Sequence, residues 1–200
     1  MHKGGVEGFK TMAHHLIFEG AELAGKSWLM SRIYDFLEPK YNKNKRLLDG
    51  CHWFNCDVGV YGTKHGKPVI KSYLKIFEEL KEKNLLIEKF YLSDKIYNRL
   101  HNKKEIDYAA EEKKLKKLNF KIILVTFPEN KKSLKKRIAD RLNLYPHYER
   151  ILRDPEWYIK QQKEYLKEIK KTKLPYLILN ADKLPDEKLV KKILNWINEK

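Results

Sequence analysis

Apolar residues arrive along this chain in two alternating rhythms. Short unbroken runs, Leu16-Ile17-Phe18, "NLLIEKF" at 84–90, "FKIILVTF" at 120–127 and "YLILNA" at 176–181, suit strands buried on both faces of a parallel sheet. A further strand is expected within 46–54, "RLLDGCHWF", where a glycine interrupts the run. Between the runs, apolar positions fall three and four residues apart, which predicts helices. They cover Trp28 to Pro39, 70–83, 133–142, 154–171 and 186–197. Residues 92–117 read as helix broken near Asn102, and Asp154 followed by Pro155 reads as an N-cap and first turn.

Strands and helices that alternate over short connections predict an α/β fold. Its core is a five-stranded parallel sheet covered by helices on both faces, a three-layer α/β/α sandwich. Ligands in such sheets bind beyond the carboxyl ends of the strands. A chain of 200 residues suits one domain, placed here at 14–200. Residues 1–13, "MHKGGVEGFKTMA", have no apolar core, so a loose extension is expected there and not a signal peptide. No apolar stretch approaches the roughly 20 residues a membrane helix needs, so no membrane partner is expected. Two cysteines, Cys51 and Cys56, point to a reducing cytoplasm. The net charge of +16 is spread through lysine-glutamate mixtures such as "AAEEKKLKKLN", as on solvated helix faces. Such an excess attracts polyanions, which keeps a nucleic-acid partner as an alternative.

The candidate chemistry starts at Gly20-Ala21-Glu22-Leu23-Ala24-Gly25-Lys26-Ser27, which fits G-x-x-x-x-G-K-[ST] between a strand and a helix. Glycines let successive N–H groups point inward at a polyphosphate, and the following helix adds its positive dipole end. Gly20 through Ser27, with Trp28, are therefore the expected ATP-binding residues. Lys26 would reach the β- and γ-phosphates and Ser27 would ligate Mg2+.

Taken in order, "FEGAELAGKS", "LLIEKFYLSDKIY", "VTFPENKKSLKKRIADR", "WYIKQQKEYLKEI" and "LILNADKLPDEKLVKKI" make the chain resemble the thymidylate kinase group of P-loop kinases. Deoxynucleoside kinases are close relatives of that group. The resemblance implies a P-loop kinase with a helical lid at about 142–154, using ATP and Mg2+ on a nucleoside monophosphate or nucleoside. It implies that Glu22 faces the acceptor's sugar. It also implies that Glu88 holds Mg2+ or orients the acceptor oxygen, and that Lys89 meets the acceptor or the transferring group. Leu23 stands where some members carry arginine, so a catalytic arginine is expected from the lid region: Arg137, Arg141 or Arg150, with Arg153 beside them. Asp182 falls in a segment that resembles the loop near the adenine. Members of the group often form homodimers, so the resemblance allows one here.

Beyond the resemblance, "CHWFNCDVGVYGTKHG" replaces the Arg-Glu-Pro-Gly-Gly segment usual after the second strand, and no arginine occurs in 68–80. The acceptor pocket is therefore expected to differ. Trp53, Phe54, Tyr61 and Asp57 are its candidate lining, and Asp57 is a candidate base for an acceptor hydroxyl. Cys51, His52, Cys56 and His65 are of zinc-ligating types at irregular spacing. The alternatives to a small acceptor are a 5′-hydroxyl polynucleotide kinase and a nucleic-acid-binding P-loop NTPase.

Overall fold

The computed structural model describes residues 13–199. The loose extension expected over 1–13 lies, apart from Ala13, outside the described residues. The strands are β1 His15–Glu19, β2 Cys51–Asn55, β3 Asn84–Glu88, β4 Phe120–Thr126 and β5 Tyr176–Asn180. The helices are α1 Lys26–Tyr41, α2 Gly66–Glu79, α3 Tyr91–Asn102, α4 Ala109–Lys117, α5 Lys131–Leu144, α6 Pro155–Ile169 and α7 Glu187–Trp196, with a 3-10 turn at Pro146–Arg150.

All five strands pair in parallel, in the order β2-β3-β1-β4-β5. The path from β1 to β2 runs one way across the sheet, whereas every later connection runs the other way. Right-handed crossovers therefore put α1 on one face and α2 to α6 on the other. The packing agrees: α1 and α7 touch each other, while α2 meets α3 and α4, and α6 meets α3 and β4. The direction of travel reverses between β1 and β3, and that reversal opens a crevice at their carboxyl ends.

The strongest apolar runs form the centre of the sheet: every residue of β1 and β3 is buried, as are all but one of β4. The weakest strand expectation has a local cause. Glu38 in α1 accepts hydrogen bonds from the N–H groups of Gly50 (2.6 Å) and Cys51 (2.9 Å). That approach is so close that a Cβ at position 50 would lie 2.1 Å from the Glu38 carbonyl oxygen. Gly50 thus docks the chain, and β2 starts just after it.

Helix ends differ from expectation by a few residues. Pro39 lies inside the last turn of α1, which runs on to Tyr41. The break near Asn102 is the gap between α3 and α4, opened by Lys103 in the left-handed region (φ 53°). Asp154 caps α6 as expected, accepting from the Trp157 N–H at 2.7 Å. Among the described residues no helix is long and apolar enough to cross a membrane.

Candidate active site

The loop leaving β1 curls over the end of β4. Gly20 has φ 136°, and a Cβ there would lie 2.2 Å from the Val125 carbonyl oxygen, so only glycine fits. Leu23 takes φ 66° without that freedom, a local strain held by its surroundings. Lys26, the first residue of α1, is buried and donates to the carbonyls of Gly20 (2.9 Å) and Ala21 (2.8 Å). Burial, and then the field of Lys89, push its amine down to about 8. The next residue, Ser27, donates its hydroxyl to Glu88 Oε1 at 2.6 Å. The two residues expected to hold Mg2+ are therefore neighbours, and they offer the hard oxygen donors that ion takes.

Sequence reasoning passed over Glu19, the last residue of β1. Its fully buried carboxylate accepts from the N–H groups of Phe90 (3.0 Å), Leu92 (3.2 Å) and Ser93 (3.4 Å), and from the Ser93 hydroxyl at 2.5 Å. It thereby caps the N-terminus of α3 and ties the end of β1 to the segment following β3. Burial outweighs these bonds and pushes the carboxyl up to about 7. The only hint in the sequence was an acid directly before the first loop glycine.

The acceptor-side candidates meet across long stretches of chain. Lys89, in the left-handed region at φ 55°, places its amine 2.7 Å from Asp57 Oδ2 and 3.6 Å from Glu22 Oε1. Tyr97 of α3 donates its hydroxyl to Glu22 Oε1 at 2.8 Å, and its ring lies 5.7 Å from the Lys89 amine. Burial alone would lower the Lys89 pKa, but the fields of Tyr97, Glu22 and Asp57 together raise it. Burial likewise acts to raise the Glu22 carboxyl, and Lys89, Tyr97, Lys26 and Arg141 together bring it below the usual range. Tyr61 is buried, with its hydroxyl on the Lys89 carbonyl at 3.3 Å.

Trp53 is a correction. Alternation along β2 turns it toward Tyr34 of α1, with 6.4 Å between ring centroids, whereas Phe54 faces Phe77 of α2. Tyr97 belongs to the opposite face from α1, so Trp53 stands apart from the acceptor cluster. The zinc-type residues do not assemble either. Cys51 and Cys56 are buried free thiols raised by burial, and among the described residues no three His, Cys, Asp or Glu side chains gather as a metal site.

Arg137 is a second correction. Its guanidinium is buried and donates to the carbonyls of Leu23 (2.9 Å), Ala181 (2.7 Å) and Lys183 (2.6 Å). Those three bonds fasten the loop after β1 to the turn after β5. Arg141 lies over the Tyr148 ring at 4.3 Å, and its field reaches Glu22. Arg150 is exposed at the end of the 3-10 turn, within the segment expected as a lid. Asp182 is exposed and accepts from the Asn180 amide at 2.6 Å. Two glutamines of α6 were also missed. Gln161 accepts from the Glu22 N–H at 3.2 Å, and Gln162 holds both the N–H and the carbonyl of Phe127 at 2.8 Å.

No family model and no curated protein matches this chain. Solved structures do. A thymidylate kinase from Ehrlichia chaffeensis superposes with a TM-score of 0.57, at 11% identity over 94% of this chain and 99% of that one. The two chains share one fold. A deoxyadenosine kinase from M. mycoides with bound dATP gives 0.55, at 18% identity over 92% of this chain and all (100%) of the other. The YorR protein of Bacillus subtilis, in complex with phosphorylated GDP, gives 0.65, at 14% identity over 92% and 95% of the two chains. The fold shared with these structures brings Lys26, Ser27 and Glu88 to the same ends of β1 and β3 as the Glu22–Lys89–Asp57 cluster.

Proposed function

We propose that this chain is a P-loop kinase that moves the γ-phosphoryl group of ATP to a nucleoside or nucleoside monophosphate. One observation carries the reading. The loop with Lys26 and the Ser27–Glu88 pair at 2.6 Å open onto the same crevice as a second, acceptor-side group of charged residues, Glu22, Lys89 and Asp57. A binding module needs only the first set; group transfer needs both. The fold's likeness to proteins named as deoxyadenosine and thymidylate kinases supports it.

In this reading the N–H groups of the loop and the α1 N-terminus cradle the donor phosphates. Lys26 exchanges its two carbonyl partners for phosphate oxygens. Ser27 and Glu88 would hold Mg2+, which neutralises charge on the donor phosphates. Glu22 meets the acceptor's sugar, with Tyr97 fixing its carboxylate. Arg141 and Arg150 supply guanidinium charge from the lid segment at about 142–154, while Arg137 braces the loop. Free buried thiols fit a reducing compartment such as the cytoplasm.

The test is ADP release from ATP and Mg2+ against nucleosides, nucleoside monophosphates and a 5′-hydroxyl oligonucleotide. One acceptor should raise release well above the rate without acceptor, and Lys26→Ala should abolish the increase. Full turnover by Lys26→Ala would refute the mechanism.

A further inference from the structure

The phosphate loop is joined on its far side to the turn after β5. Pro185 of that turn packs on the loop so closely that a Cβ at Gly25 would lie 2.3 Å from its Cγ. Arg137 holds the same turn through the carbonyls of Ala181 and Lys183. Arg32 of α1 reaches Glu187, the first residue of α7, at 2.8 Å. The first turns of α1 and the turn after β5 therefore form one continuous surface. A nucleoside whose phosphates lie on the loop has to leave across it.

The second observation is Trp28. It stands in the first turn of α1, directly after Ser27, and is 39% exposed, whereas Leu29, Met30 and Ile33 of the same helix are buried. A tryptophan turned out to water adds nothing to the core, and here its flat ring stands beside the proposed phosphate cradle. The Arg32 guanidinium, one helical turn on, lies 5.8 Å from the ring centroid. Leu184 in the turn after β5 adds a second exposed apolar side chain. Groups of that turn that could read a base by hydrogen bonds are already engaged. The carbonyls of Ala181 and Lys183 accept from Arg137, and the Asn180 amide donates to Asp182 Oδ1 at 2.6 Å.

From this surface we infer that Trp28 holds the donor nucleotide by stacking: the purine or pyrimidine base of the nucleoside triphosphate lies on its indole and is not selected further. The inference rests on the kinase reading above and deepens its donor side. Every base has a π-face, so a site built on stacking tolerates all of them. Arg32, itself tied to Glu187, keeps the ring beside the turn after β5. Trp28 makes and breaks no bond, and its share in the reaction is affinity for the donor. GTP, CTP and UTP therefore stand close to ATP as donors.

The experiment measures dissociation constants by calorimetry, with Mg2+ present, for ATP, GTP, CTP, UTP and inorganic tripolyphosphate. It compares the wild-type protein with Trp28→Phe and Trp28→Ala; alanine suits an exposed helical position, so the fold is kept. The wild type should bind the four nucleotides within about 10-fold of one another. Trp28→Ala should weaken each by about 10-fold or more, the scale of stacking on one aromatic ring, and leave tripolyphosphate unchanged. Trp28→Phe should retain most of the affinity. Unchanged nucleotide binding by Trp28→Ala would overturn the inference, as would an equal loss of tripolyphosphate. A wild-type preference of about 100-fold or more for one base, the mark of hydrogen-bonded reading, would overturn it too. Turnover with a panel of acceptors keeps the two readings apart. Stacking behaviour without transfer to any acceptor would leave the inference and end the kinase reading, and failure to bind any triphosphate would overturn both.

Discussion

Glu19 shows what a single buried carboxyl does to this fold. Its carboxyl titrates near 4.5 in the unfolded chain and at about 7 in the folded one, so the folded protein holds that proton more tightly. The stabilisation is complete below about 4.5 and is lost as pH rises through about 7. Between those two values the loss runs at about 1.4 kcal/mol for each pH unit. Glu19→Gln keeps an acceptor for the α3 N–H groups and a donor for the Ser93 hydroxyl. Its stability, from urea unfolding at several pH values, should therefore lack this decline, and an unchanged pH dependence would contradict the assignment. Lys26 titrates in the other direction. A polyphosphate beside an amine pushed down to about 8 drives it back to the charged form. ATP binding at pH 8 should then take up roughly half a proton, read by calorimetry in buffers of different ionisation heat, and at pH 6 this uptake should vanish. Lys26 and Ser27 were legible because their motif is contiguous. The Lys89–Asp57 pair spans 32 positions and the Tyr97–Glu22 bond 75, separations at which no local pattern signals contact.

Elements fix where these residues end up, and one arginine shows how. Arg137 of α5 joins the phosphate loop to the turn after β5 through its three carbonyl bonds, with Phe127 under its guanidinium at 5.7 Å. Arg137→Met keeps much of the stem's packing and removes the donors, leaving carbonyls without partners. The expected loss is about 3 kcal/mol in urea unfolding, with a raised KM for ATP because the loop is no longer braced. A normal unfolding midpoint together with a collapsed kcat would return Arg137 to the catalytic role that the resemblance implied. No local pattern in the sequence could show that this guanidinium turns inward onto backbone carbonyls. The central strands were legible because burial on both faces leaves an unbroken apolar run. By contrast, β2 was obscured by Gly50, whose purpose is a contact with Glu38 twelve positions earlier. Strand order leaves no trace in periodicity, so the crevice between β1 and β3 emerged only with the fold.

Across the whole molecule, the net charge of +16 and the proposed site chemistry are separate matters. The crevice holds its charges in mutually paired, buried or half-buried groups, whereas the surface excess lies on lysines such as Lys64, Lys104, Lys132 and Lys136, all exposed. Exposed lysines attract a polyanion by releasing its counterions and give it no fixed register. A labelled oligonucleotide should therefore bind weakly and without preference for sequence. With about four phosphates contacted, affinity should fall roughly 100-fold between about 50 and about 200 mM salt. Fluorescence anisotropy across that range measures the slope, and ATP with Mg2+ should leave binding largely unchanged, because the crevice takes no part. Tight binding that survives about 200 mM salt and is displaced by ATP would mean that nucleic acid enters the crevice. The surface charge would then serve the reaction itself, and a polynucleotide end would replace the small acceptor.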